Sequence, residues 1–406
     1  MLFKNNKNIL IIVIILICFV SCAKNKETIS VLKDNINFDH FNHLYKEIDF
    51  KDKKVGIVHI YSEYPDYKFE IEPKEGFTCV DDVARAIVML SKYLEEDVKD
   101  EMALDKLIRL TEFVLQMQHE NGYFNNFIWN DLSINTTYKT SVAELNWWSF
   151  RALWGLESAY DLLKSDKDIA IRIEVASQKL LNNIKRDISI TDLQTELVET
   201  IEVPTWLTQR YAADQSALLI LGLLKNHERT GDSDIETLID ALAKGIMLMQ
   251  KGNADNYPYG AFMSWQNLWH AWGNNQAYAL LLAGEAFNNQ DYIESAFIEI
   301  DNFYPYLLEN GFAEAFWIQK TSDNAFSEIK RNNYPQITYG LRPMIWATSE
   351  AYYYSKNKKY LKLAKELELW LYGNNDAQGI IYNPATGICF DGINIKDEIS
   401  KISGAE

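Results

Sequence analysis

The chain has 406 residues, of which 48% are hydrophobic, 13% aromatic and 24% charged, with a formal net charge of −17. That length can bury a large core, the apolar fraction excludes a disordered chain, and 8 Pro with 18 Gly exclude collagen-like and Pro-rich classes. The acidic balance, 57 Asp and Glu against 40 Lys and Arg, gives nucleic acid no electrostatic handle. In chain order, Lys4 and Lys7 come first and precede an unbroken apolar run from Ile9 to Val20. As a helix this run rises about 18 Å, short of a bilayer core of about 30 Å. It reads as a signal peptide over residues 1–21.

The run ends Phe19-Val20-Ser21-Cys22, an apolar residue and a small residue before Cys. This resembles a bacterial lipobox. The resemblance implies that Cys22 carries a lipid anchor, that a membrane is a partner, and that the protein lies at the cell envelope, on an outer-membrane or periplasmic face. Residues 22–37 then form a polar tether, and residues 38–406 a single domain. Two cysteines remain, Cys79 and Cys389, and the sequence cannot pair them. No Cys/His cluster has zinc spacing, so no metal or other cofactor is assigned.

A repeat organises the rest. Five stretches look like starts of one kind of helix, and Ala86, Ala152, Ala217, Ala279 and Ala347 align at spacings of 66, 65, 62 and 68 residues. Each is nearly apolar all round, as a buried inner helix should be. Each is followed by an amphipathic segment, near 101–118, 168–187, 234–251, 291–308 and 358–372, as outer helices should be. Aromatic-rich loops with Asn-Gly or Tyr-Gly turns follow several of these and predict short rim strands. The fold class is therefore all-α, an (α/α)6 barrel, or toroid, of helical hairpins. A sixth pair would draw on Phe38 to Ile48 and on the C-terminus. Gly404-Ala405-Glu406 looks like the beginning of another inner helix, so the last helix is expected to be missing from this chain.

The repeat resembles the six-hairpin, (α/α)6 toroid carbohydrate-active enzymes. More narrowly, Gly76-Phe-Thr-Cys-Val-Asp-Asp-Val-Ala-Arg-Ala86, Ala271-Trp-Gly-Asn-Asn-Gln276, Pro335-Gln-Ile-Thr-Tyr-Gly-Leu-Arg-Pro343 and Asn383-Pro-Ala-Thr-Gly387 are similar to an uncharacterised helical-barrel family found beside or fused to bacterial glycosyltransferases. Leu145-Asn-Trp-Trp148 departs from that pattern, where a more polar run is expected. The resemblance implies a carbohydrate setting rather than a particular reaction.

Candidate chemistry lies at the starts of the inner helices. Glycoside hydrolysis needs two carboxyl groups flanking the bond. Asp82 is the first candidate, with Asp214 or Glu144 as the second and Glu314 as a further one. Asp81, Asp82, Glu144 and Asp214 could equally be helix caps. Two adjacent acids cannot both cap, however, so Asp81 or Asp82 is left to face a ligand, and Arg85 lies one turn on. His270 could serve as a base. It stands among Trp265, Trp269 and Trp272, with Asn274 and Gln276 as amide donors. Trp147, Trp317 and Tyr334 extend the aromatic set. Arg342, beside Gln336, could grip a carboxylate. Three readings follow. The first is a glycoside hydrolase acting on an oligo- or polysaccharide. The second is a lyase or epimerase of uronate sugars that uses His270 and Arg342. The third is a non-catalytic glycan-binding or truncated lipoprotein.

Overall fold

The structure is a computed structural model that describes residues 37–96, 99–322 and 325–404. The signal segment, Cys22 and the last two residues lie outside the described residues. The helices are α1 (Asp39–Leu44), α2 (Val80–Glu95), α3 (Glu101–Gln116), α4 (Trp147–Leu163), α5 (Lys167–Asp187), α6 (Ala213–Thr230), α7 (Ser233–Leu248), α8 (Gln276–Phe287), α9 (Gln290–Asn310), α10 (Thr338–Ser355) and α11 (Lys358–Glu368).

Five inner helices, α2, α4, α6, α8 and α10, pack side by side in chain order, and each carries its successor on its outer face. Composition explains the layers. Helix α4 buries residues on every side, from Trp148 through Ala159, whereas α11 buries one stripe, Tyr360, Leu363, Ala364 and Leu367. The outer helices share one start signal. Asp100, Asp166, Asp232, Asn289 and Asn357 each cap a helix by accepting backbone N–H groups. The inner helices lack this regularity: Ala212, Asn275 and Ile337 give no side-chain cap.

Short strands precede α2 and lie between the helical hairpins. The expected helix over Phe38 to Ile48 is corrected to the short α1 followed by a strand, Tyr45–Phe50, paired with Lys53–Val58. Here polar and apolar residues alternate rather than following a helical period: Ile48 and Phe50 face in, while Glu47 and Asp49 face out. Lys51 and Asp52 turn the hairpin at φ 46° and 64°, as a tight two-residue loop requires. Gly404, read above as the approach to a helix, ends a strand, Ile402–Gly404, that pairs with Tyr61–Glu63. Cys79 and Cys389 are free thiols.

Candidate functional site

The N-terminal ends of α2, α4, α6 and α10, with the segment that leads into α8, surround a cavity of about 930 Å³. Asp81 and Asp82 project into it from the first turn of α2. Neither caps the helix. Cys79 does so, its Sγ accepting the Asp82 N–H at 3.4 Å. Asp82 is buried and ion-paired with Arg85. Arg85 also lies 3.4 Å from Asp81. Beneath them Arg151 of α4, only 1% exposed, places Nε 3.3 Å from Asp81 Oδ1 and donates to the Tyr339 hydroxyl. Three guanidinium groups, of Arg85, Arg151 and Arg342, lie 5.2, 5.4 and 4.9 Å from the centre of the Tyr339 ring.

Asp214 occupies the second position of α6 and is buried. Its Oδ1 accepts the Gln215 N–H at 2.6 Å, and its Oδ2 lies 3.0 Å from His270 Nε2. The other imidazole nitrogen, Nδ1, accepts the Trp272 backbone N–H at 3.0 Å. A backbone N–H can only donate, so Nδ1 keeps its lone pair and Nε2 carries the proton toward Asp214. Both ring nitrogens of His270 are therefore occupied.

Three more carboxyl groups line the cavity, those of Glu314, Glu75 and Asp391. Glu314 accepts the Asn332 amide at 3.1 Å. Glu75, which the sequence reading missed, accepts the Thr140 hydroxyl at 2.6 Å. Burial pushes the Glu75 carboxyl above the usual carboxylate range. The Thr140 hydrogen bond opposes that rise, and the charges of Glu72 and Asp82 add to it. Glu75 sits in an irregular loop with no periodicity to announce it. Asn135 fixes the loop by donating to the Lys74 and Glu75 carbonyls.

Of the expected aromatic platform, Trp147, Trp265, Trp272 and Trp317 line the cavity, with Trp265 and Trp272 40% and 50% exposed. A Cβ on Gly273 would meet the Trp147 ring at 2.6 Å, so only glycine lets that chain pass the indole. Trp269 is corrected to a core residue. The strand Leu268–His270 alternates, sending Leu268 and His270 to the cavity and Trp269 to the opposite side. There it is 1% exposed and stacks on Phe316 at 5.0 Å. Trp269→Ala is expected to cost about 3–5 kcal/mol of stability, whereas Trp272→Ala, half-exposed at the rim, should leave the melting temperature nearly unchanged. Thermal melts of the two variants check this.

Other expected residues also lie outside the lining. Glu144 is exposed and accepts the Asn146 amide, while Asn146 caps α4. Asn274 and Gln276 are buried at the start of α8, away from the cavity. Tyr334 and Gln336 are tied to Asp376 at 2.6 and 2.8 Å. Arg342 lies against the rings of Tyr339 and Trp346 and does not reach the cavity wall. Among the described residues no group of three or more His, Cys, Asp or Glu is placed to hold a metal ion.

Compared with solved structures, the chain is similar to a sugar epimerase from a ruminal bacterium, with a TM-score of 0.60 at 10% identity over 92% of this chain and 94% of that one. It is similar to the cellobiose 2-epimerase of Bacillus thermoamylovorans, with a TM-score of 0.60 at 10% identity over 87% and 89%. A D-mannose isomerase matches with a TM-score of 0.53 at 11% identity over 86% and 87%. The fold is that of the six-hairpin (α/α) toroids. No family model and no curated protein matches the chain. The narrower likeness to the glycosyltransferase-linked family therefore rests on the sequence stretches alone.

Proposed function

We propose that this toroid is a glycoside hydrolase acting on an oligo- or polysaccharide held in the rim cavity. The single observation that carries this reading is the contrast between neighbouring carboxyl groups. Glu75 is half-buried and its carboxyl is pushed toward holding its proton, while Asp82 beside it is buried and ion-paired with Arg85. A carboxyl group that tends to keep its proton, next to one held against a guanidinium, suits a general acid and its partner. Glu75 is placed to protonate the leaving oxygen. Asp82 acts as base or nucleophile, and Asp214, steadied by His270, binds the sugar. Trp265 and Trp272 offer the apolar faces that a pyranose ring stacks on.

The second reading is 2-epimerisation, which the names of the neighbouring structures suggest. It needs a base with a free lone pair, and His270 spends its own on Trp272. Uronate chemistry finds less support, because Arg342 stands off the wall. Product mass separates the readings. Hydrolysis gives products that sum to substrate plus one water. Epimerisation leaves the mass unchanged, and a lyase cleaves without adding water. An isomer of unchanged mass would overturn the hydrolase reading. Two further parts belong to this proposal. One is a complete (α/α)6 ring. The other is export as a lipoprotein anchored through Cys22 at the cell envelope, which the N-terminal run and its lipobox-like end support.

A further inference from the structure

We infer that the rim cavity selects its sugar by charge, rejecting uronates and sulfated sugars and favouring an amino sugar with a free ammonium group. This rests on the carbohydrate reading above and names its substrate class. Among the described residues the cavity is lined by the carboxyl groups of Asp81, Asp82, Asp214, Glu314 and Asp391, together with Glu75, which is pushed toward holding its proton and adds no charge to this sum, against one guanidinium, Arg85, and one imidazole, His270. The positive groups are already committed within the wall. Arg85 is shared between Asp81 and Asp82, and Arg151 below it pairs with Asp81. His270 gives its one proton to Asp214 and adds no net charge in that tautomer. Glu314 and Glu75 take hydrogen bonds from neutral donors, the Asn332 amide and the Thr140 hydroxyl. Lys330 lies over the Trp317 ring at 4.1 Å but is not part of the lining.

The wall therefore keeps an excess of negative charge in a concave, partly desolvated space, where a field of one sign is focused rather than dispersed. A sugar carboxylate or sulfate entering there meets like charge and no spare guanidinium. A protonated sugar amine meets the carboxylates of Glu314, which takes the neutral Asn332 amide, and of Asp214, which takes the His270 N–H. The indole faces are indifferent to this choice, because they bind the C–H face of any pyranose. They supply affinity while the carboxyl groups supply discrimination.

The test is direct binding, independent of turnover. 4-Nitrophenyl glucosaminide, glucoside and glucuronide are titrated against the protein at pH 7, at low ionic strength and again at about 0.15 M salt. The glucosaminide is expected to bind about tenfold more tightly than the glucoside, and the glucuronide about tenfold more weakly, with both gaps narrowing in salt. Glu314→Gln should reduce the preference for the glucosaminide several-fold. Glu309→Gln, an exposed change of equal charge on the outer helix α9, should leave it intact. Glucuronide binding as tight as glucoside binding, equal responses from the two variants, or no binding of any probe would each overturn the inference. The hydrolase reading would still stand or fall on product mass.

Discussion

Replacing Asp82 by Asn is expected to lower glycan hydrolysis by about a thousandfold while the protein stays folded. The fold should survive because Asp82 does not cap α2. Cys79 holds that place, and the Asp82 backbone N–H it accepts is unchanged by the substitution. Asn fills the same volume and keeps an oxygen toward Arg85, which retains Asp81 at 3.4 Å. What disappears is the negative charge beside the reacting bond, and with it part of the push on Glu75. Glu75→Gln should behave differently. It should abolish turnover of natural glycosidic bonds, which need a proton on the leaving oxygen, and largely spare activated aryl glycosides, which do not. Steady-state rates on both substrate types, with melting temperatures beside them, check the pair. If Asp82→Asn kept more than about a tenth of the wild-type rate, Asp82 would be no part of the chemistry.

Replacing Glu299 by Gln is expected to stabilise the protein at pH 8 by several kcal/mol, on the order of 4, and to do almost nothing near pH 4.5. Glu299 lies fully buried on α9, where its carboxyl accepts the Phe262 N–H at 2.9 Å and the Tyr304 hydroxyl at 3.2 Å. Burial pushes the group up to about 8, although both hydrogen bonds oppose the rise. The folded state thus keeps a proton that the unfolded chain releases above its ordinary value of 4.5. Stability is fully present below that value and is lost as pH rises through 8. Glutamine is the neutral isostere: its oxygen takes the Phe262 N–H, its amide meets the Tyr304 oxygen, and it has nothing to titrate. His40 and His59 act in the opposite sense, since burial pushes both down to about 4. Their contribution is present above pH 6.5 and is lost as pH falls through 4. Denaturant titrations of wild type and variant at the two pH values cancel the histidines and isolate Glu299. An equal difference at both values would refute the assignment.

The helical scaffold was legible because its signals are local and repeated. The amphipathic stretch near 168–187 becomes α5, Lys167–Asp187, and the one near 291–308 becomes α9, Gln290–Asn310. Asp81, Asp82 and Asp214 were legible because they stand in the first turns of α2 and α6, which the repeat marks as inner-helix starts. Other features depend on contacts distant in sequence. Glu75 reaches the cavity from a loop, and its environment is set by Thr140 and Asp82. Trp269 and Trp272 look alike in the sequence. The strand period turns Trp269 into the core, and that period exists only because Leu268–His270 pairs with residues 315–317, whereas Trp272 lies beyond the strand in a bend. Tyr45–Phe50 has apolar residues that suit a helix almost as well as a strand, and pairing with Lys53–Val58 decides between the two. Glu144 lies outside the cavity lining, exposed two positions before Asn146, which caps α4.

The most direct test of the central claim is mass spectrometry of a glycan panel incubated with the protein in water enriched in oxygen-18, beside the Asp82→Asn variant. Shorter glycans are expected whose masses sum to substrate plus one water, with one oxygen-18 at the new reducing end, and none from the variant. Unlabelled products, an isomer of unchanged mass, or equal cleavage by the variant would contradict that claim.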